Sequence, residues 1–400
     1  MGNNRFYTPD GFNDVMPGIC EFKKEAESKL RNLFSLNGYS EIETPGIEYT
    51  DIYMDNEYVA PSDLYKLCDQ KGRLICIRYD GTIPASRFAA TIFKDEEPPL
   101  RLCYIENMYR FKQVGGGKQS EFTQAGVELM GSAGSSADAE VIALAIESAI
   151  EIGVKDLQIS VGQTKLFEGF MNELNVDKET SDKIRNAIDQ KDVVTLEKTA
   201  SDLGLSEENK ETLLMFSESQ GTYDVIDDMR SRISDETAVA ALDNLKEILD
   251  ILDDYGYLKY VSIDLGLLGS ADYYTGMIFK GFTYEVGFPI LGGGRYDNVV
   301  GTFGRDMEAV GFSLGLSLAI IALMRQGMEP QASKPETIIG YDIAVEGARK
   351  AAIAMKQQMV AEGTRVILDT QGYTQEALEK YADDNGIDTC IYINETKEEA

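Results

Sequence analysis

The sequence predicts an α+β fold: a mostly antiparallel sheet flanked by helices, with a helical insertion and a small C-terminal α/β unit. Three observations predict it. Strand-like segments arrive in runs, with helices set between the runs, which is the α+β pattern and not the alternation of a parallel sheet. Residues 166–255 break this pattern with acidic, glycine-poor, helical sequence such as "DKIRNAIDQKDVVTLEKTASDLG". Beyond residue 336, "TIIGYD", "RVILDT" and "TCIYIN" alternate with helical stretches as a βαβαβ unit.

Each element has its own reason. Residues 21–36 carry Phe22, Ala26, Leu30, Leu33 and Phe34 on one face, the spacing of an amphipathic helix that Gly38 ends. "YSEIETPGIEY" reads as a strand interrupted by Pro45, which fits a strand end or an interface edge. "LYKLCDQKGRLICIR" reads as a hairpin turning at 69–73. "TIPASRFAATIF" opens a short helix after Thr82, with Thr82 as its cap. Residues 100–131 predict three strands, "LRLCYIE", "MYRFK" and "EFTQAGVELMG", around a glycine-rich loop. "DAEVIALAIESAIEIG" is a helix stopped at Gly153, and "LQISVG" is a strand. Strands resume at "KYVSID", "MIFKGF" and 309–314, the last running into an uncharged helix, "GLSLAIIALM". "GGGRYD" reads as a flexible loop whose backbone can approach a ligand closely. These boundaries give a core at 1–325 containing the inserted subdomain at 166–255, a linker at 326–336 and a C-terminal domain at 337–400.

Composition excludes several classes of function. The net charge is −30, from 38 Lys and Arg against 68 Asp and Glu, so broad nucleic-acid binding is disfavoured. The chain has no histidine, which removes the Ser-His-Asp triad, the Cys-His pair and histidine metal ligands. Its five cysteines are scattered, with no CxxC pair, as buried thiols of a reducing compartment are. No apolar run is long enough to span a bilayer, and the first residues lack the apolar core of a signal peptide, so a cytoplasmic protein is expected.

The residues left for chemistry are Asp, Glu, Arg, Lys and Tyr. In "EFTQAGVELMG" the period of two puts Phe122, Gln124, Gly126, Glu128 and Met130 on one face and a clean apolar set on the other. Gln124 and Glu128 thus project from a sheet beside a glycine that leaves room above it, although a solvent-facing strand uses the same residues. Arg110 shares its strand face with Met108. Asp80 and Thr82 end a strand in "RYDGT", and Tyr273 and Tyr274 adjoin in "DYYTG". Two carboxylates, an arginine, an amide and two phenols suit a zwitterion, with carboxylate against ammonium and arginine against carboxylate. They suit acid–base catalysis equally.

"GYSEIETPGIEY", "RYDGT", "YRFK…EFTQAGVELMG", "DYYTG", "GGGRYDN" and "AVGFSLGL" together resemble the histidyl-tRNA synthetase catalytic core, over about residues 5–325. The resemblance implies a class II aminoacyl-tRNA synthetase-like antiparallel sheet of six or seven strands and a dimer around the first motif. It also implies a helical insertion before the third motif. It places Asp80, Thr82 and Gln124 at the α-ammonium of histidine, Glu128 and Tyr274 at the imidazole, and Arg110 at carboxylate or phosphate. Tyr273 completes the histidine-binding set.

The chain departs from the synthetases where they hold ATP. Synthetase arginines fall on Leu318, Gly269 and Ser120. Adenylate formation develops charge at phosphate, and fixed cations there supply much of the catalysis. The C-terminal unit is also shorter than a full anticodon-binding domain. That pattern resembles the regulatory subunits of ATP phosphoribosyltransferase, which are synthetase paralogues. This second resemblance implies a non-catalytic chain with no cofactor, no metal and no nucleic-acid partner. It implies a self-dimer and a hetero-octamer with the short-form catalytic subunit, in which histidine is the feedback effector of the first step of histidine biosynthesis. An active histidyl-tRNA synthetase and a stand-alone binding module on the same fold are the alternatives.

Overall fold

The computed structural model describes residues 4–54, 58–111, 119–269 and 273–395. The chain forms two compact units. One holds Phe22–Glu329 with the N-terminal segment through Val15; the other holds Pro330 onward with Met16–Glu21.

The larger unit is built on a nine-stranded sheet. Its order runs Ser40–Glu41, Leu100–Tyr109, Glu121–Met130, Ala309–Gly315, Leu291–Arg295, Met277–Phe282, Gln158–Gln163, Val261–Asp264, Gln220–Gly221. The first pair and the pairing of Gln158–Gln163 with Val261–Asp264 are parallel; the rest are antiparallel. The apolar face of Glu121–Met130, with Ala125, Val127 and Leu129, is fully buried. Helix Pro17–Leu36 buries Ala26, Leu30 and Phe34, and Phe34 meets Phe312 edge-on at 6.3 Å. Helix Ser135–Glu151 buries most of its length and ends two residues before Gly153, which is in the left-handed conformation (φ 94°).

Two expected elements differ. Residues 100–131 form two ten-residue strands and not three, because "MYRFK" is divided: Met108 and Tyr109 continue the first strand in register with Phe122 and Glu121. Arg110 therefore lies just past the strand end and does not share a strand face with Met108. The segment "LGGGR" is an interior strand and not a flexible loop. Its glycines serve close packing. A Cβ at Gly294 would fall 2.6 Å from the Met277 carbonyl oxygen and 2.8 Å from the Tyr274 ring.

A separate three-stranded sheet joins Ile47–Tyr49, Leu74–Ile77 and Lys66–Cys68. One face buries Glu48 and Cys76; the other leaves Ile47, Tyr49 and Leu67 about half exposed. Helices Lys178–Asp189, Val193–Asp202 and Glu207–Glu218 are capped by Asp177, Asp192 and Ser206, each accepting a backbone N–H. The acidic region also contributes the short Gln220–Gly221 strand to the sheet edge. Among the described residues no helix is long and apolar enough to cross a membrane.

In the smaller unit Thr337–Tyr341, Val366–Leu368 and Thr389–Ile393 form a parallel sheet with Thr337–Tyr341 in the centre. Helices Ala348–Ala361 and Gln375–Asn385 connect them, and Ile338, Leu378, Ala382 and Ile387 form one core.

Candidate functional site

The sequence-predicted residues fall into two adjoining layers on one face of the large sheet. The lower layer is a closed polar cage around Glu128. The upper layer is an open trough.

Register builds the cage. Tyr104 lies opposite Gly126 across the Leu100–Tyr109 and Glu121–Met130 pairing. Its ring occupies the space above Gly126 and beside Gly81, where a Cβ on either glycine would fall inside it. The room expected above Gly126 is thus filled. Glu128 is buried, with 1% of its surface exposed. One carboxylate oxygen accepts from the Thr82 hydroxyl at 2.8 Å and from the Tyr104 hydroxyl at 3.3 Å. The other accepts from the Tyr296 hydroxyl. Tyr273 packs against Tyr296, with ring centroids 6.0 Å apart, and edge-on to Tyr58 at 5.4 Å.

The cage lifts both its carboxyls. Burial pushes Glu128 up to about 7; the hydroxyls of Tyr296 and Thr82 oppose the shift, and the charge of Asp80 adds to it. Burial pushes Asp80 to about 6 against the opposing effect of the Arg110 guanidinium. Asp80 accepts the Ile83 N–H at 3.3 Å and so satisfies one free donor in the first turn of helix Thr82–Thr91, whose N-cap position is Gly81. Thr82 is the first helical residue and not the cap; its hydroxyl turns to Glu128. The same burial holds the phenols of Tyr104, Tyr273 and Tyr296 well above their usual range.

The trough is a cavity of about 410 Å³ lined by Arg110, Gln124, Tyr274, Ser313, Lys280 and the two former cation positions Gly269 and Leu318, among others. Gln124 donates to the Ser313 hydroxyl at 3.2 Å. Its Oε1 is buried and has no hydrogen-bond donor among the described residues. A buried acceptor left this way costs about 1–3 kcal/mol, and such groups ask for an explanation in function. The Arg110 guanidinium lies 4.6 Å from the Tyr79 ring centroid and 5.1 Å from that of Phe122. It reaches the Tyr79 carbonyl at 3.4 Å; its charge is felt by Asp80, but it makes no direct ion pair among the described residues. Tyr274 lines the trough with its phenol raised to about 12 by burial, then by the charge of Glu128.

Arg110, Gln124 and Tyr274 thus share the open trough. Asp80, Thr82, Glu128 and Tyr273 belong to the cage beneath it. Ser120 is buried, but it is not among the residues that line the trough. The loop 112–118 and Asp272 of "DYYTG" lie outside the described residues. Tyr104, Tyr296, Ser313 and Lys280 went unread in the sequence. The period of two already places Leu100, Leu102 and Tyr104 on one face, but only register shows that Tyr104 meets Gly126.

The motif order, the sheet and the site define a class II synthetase-type core, and the family model described as "Histidyl-tRNA synthetase" matches residues 11–318. Full-length similarity narrows this further. The chain is 42% identical to an ATP phosphoribosyltransferase regulatory subunit of Acetivibrio thermocellus, over 98% of this chain and 94% of that protein. It is 38% identical to a regulatory subunit of Ruminiclostridium cellulolyticum, over 99% and 94%. A crystal structure described as an ATP phosphoribosyltransferase regulatory subunit/histidyl-tRNA synthetase from Bacillus halodurans C shares 30% identity and a TM-score of 0.87, covering 98% of this chain and 99% of that one. The chain belongs to the ATP phosphoribosyltransferase regulatory subunit family.

Proposed function

We propose that the chain is the histidine-sensing, non-catalytic subunit of ATP phosphoribosyltransferase. It binds free histidine with Arg110 at the carboxylate and Gln124 at the ammonium. Tyr274 is at the imidazole, and Asp80, Thr82, Glu128 and Tyr273 support and complete the seat from below. It partners the short catalytic subunit in a hetero-octamer, is needed for that subunit's activity and transmits feedback by histidine in the cytoplasm. It does not aminoacylate tRNA.

The observation that carries this reading is the buried Gln124 Oε1, without a donor among the described residues, in one trough with an Arg110 guanidinium that makes no direct ion pair among them. An α-ammonium and an α-carboxylate supply both missing partners in one small molecule. The neutral side chains Gly269 and Leu318 in the same trough support the loss of adenylate chemistry. The half-exposed apolar face carrying Ile47, Tyr49 and Leu67 supports self-association through the segment near 38–50.

The test is a histidine titration, by calorimetry on the isolated chain and by inhibition of phosphoribosyl transfer in the reconstituted complex. Micromolar histidine binding should be weakened by Arg110→Ala, and the inhibition curve should move with it. Histidine-dependent ATP–pyrophosphate exchange at a synthetase rate would overturn the reading.

A further inference from the structure

The N-terminal segment keeps most of its length in solvent: residues 5–10 and 13–17 are exposed. Between these stretches Gly11 and Phe12 turn inward, and both go to the base of the strand pair that carries Arg110. The turn Pro9–Phe12, closed by the Phe12 N–H on the Pro9 carbonyl at 3.0 Å, aims them there.

Gly11 lies on Ser120. Its carbonyl accepts the Ser120 N–H at 2.8 Å, and the Ser120 carbonyl accepts the Arg110 N–H at 2.8 Å. These bonds continue the ladder past Tyr109 and Glu121, where the register of the two long strands ends. The position requires glycine for two separate reasons. Its φ is +82°, and a Cβ would fall 2.3 Å from Ser120 Oγ and 3.0 Å from the Ser120 nitrogen.

Phe12 fastens the turn. Its ring stands edge-on to Tyr65 at 5.8 Å and lies 6.5 Å from the Tyr109 ring. Tyr65 in turn stands edge-on to Phe111 at 5.3 Å, and the Phe111 N–H donates to the Asp63 carbonyl at 2.9 Å. One aromatic cluster thus holds the residues on both sides of Arg110, while Ser120 holds Arg110 itself.

Arg110 lies past the strand end, where fixing a backbone and a long side chain costs entropy. A guanidinium grips a carboxylate well when its planar fork is already aimed. If the fold fixes that direction, binding does not have to. Neither Gly11 nor Phe12 lines the trough, so their effect on a ligand there runs through Arg110.

We propose that Gly11 and Phe12 are positioning residues: the N-terminal turn is a strap that fixes the backbone of Arg110 and so sets how tightly the trough holds the carboxylate of histidine. This rests on the reading of Arg110 as the carboxylate partner. Loosening the strap transfers the ordering of Arg110 from the fold to the binding step.

The test uses the full chain and two readouts: hydrogen exchange at the Arg110 and Ser120 amides without ligand, and histidine affinity by calorimetry. Phe12→Ala should speed exchange at those two amides and leave the amides of helix Ser135–Glu151 unchanged. It should weaken histidine about ten-fold. Gly11→Ala, which pushes on Ser120, should act in the same direction, and Phe12→Tyr, which keeps the ring, should stay within two-fold of wild type. Because the strap acts through Arg110, Phe12→Ala made in an Arg110→Ala chain should cost less than a further two-fold. Equal weakening in the two backgrounds would make Phe12 a residue of the fold alone and overturn the proposal. Unchanged exchange at Arg110 and Ser120, or faster exchange with histidine affinity unmoved, overturns it as well. A wild-type chain that binds no histidine, in which Phe12→Ala still frees the Arg110 amide, upholds the strap and removes the histidine reading, so the two failures are distinguishable.

Discussion

The cage and the trough lie side by side on one sheet and treat polar groups in opposite ways. In the cage both carboxyls are engaged: Glu128 takes three hydroxyls and Asp80 takes a backbone N–H, while Tyr273 stacks on Tyr296. In the trough, among the described residues, the Gln124 carbonyl has no donor and Arg110 rests on rings without a direct ion pair. Buried polar groups that are satisfied support the fold; one that is not asks for another reason, and histidine binding is the reason proposed for Gln124. Composition alone does not separate these roles, since both layers draw on the same residue types.

The largest expected effect tests the cage. Glu128→Ala leaves the hydroxyls of Thr82, Tyr104 and Tyr296 without their acceptor in a buried site. Each unpaired group costs about 1–3 kcal/mol and the sum is not additive, so a loss of about 3 kcal/mol or more is expected in denaturant unfolding. Unchanged stability would show that the cage is not a structural unit. Any loss of histidine binding in this variant is therefore read beside its unfolding curve.

A pH titration sharpens the same point. Glu128 ionises near 4.5 when unfolded and at about 7 in the fold. Between those values the fold keeps a proton that the unfolded chain has released. The contribution is full below pH 4.5 and is lost as the pH rises to about 7. Asp80 acts in the same sense between 3.8 and about 6. Stability should therefore fall across this window, by on the order of 2–3 kcal/mol for Glu128. Glu128→Gln, which stays neutral at every pH, should remove much of the slope. Parallel slopes in the two proteins would assign the pH dependence elsewhere.

The trough gives a smaller effect on stability and a larger one on binding. Gln124→Leu removes the orphaned Oε1 together with the bond to Ser313. The two changes offset, so unfolding should shift by less than about 1 kcal/mol. Histidine affinity should nevertheless drop about ten-fold, because the ammonium loses its acceptor. A variant that unfolds early and binds normally would reverse the roles assigned to the two layers.

How much of this was legible in the sequence follows from the range of the interactions. Period-two alternation puts Gln124 and Glu128 on one face, and the apolar stripe of Ser135–Glu151 and the C-terminal βαβαβ unit are also local patterns. The resemblance supplied the residues of both layers. It did not show that Tyr104 fills the room above Gly126, or that Tyr296 reaches Glu128 from 168 residues away. The strand "LGGGR" reads as a loop in sequence because glycine has low strand propensity. Its conformation is set by close neighbours on both sides, Met277 and Tyr274 at Gly294 and Leu291 opposite Gly281.

The smallest expected effect is on catalysis, where no gain is expected. Gly269→Arg with Leu318→Arg returns two cations to the positions where the synthetases resembled here carry arginine. Leu318 lines the trough and its side chain has room to be replaced. Gly269 is different. It sits at φ 61°, a left-handed conformation that side chains adopt at a cost, and a Cβ there would fall 2.6 Å from Ile278 Cδ1 and 3.0 Å from the Tyr274 ring. An arginine at 269 therefore displaces Tyr274 or moves the backbone before it can reach a phosphate. Catalytic groups must stand within about 0.5 Å of their productive place, and a misplacement of about an ångström costs on the order of 100-fold in rate. The double variant should show no histidine-dependent ATP–pyrophosphate exchange above background, and its histidine affinity should fall because Tyr274 has moved. Exchange restored to a synthetase rate would mean that the trough still holds its catalytic geometry, and that two charges alone separate a sensor from an enzyme.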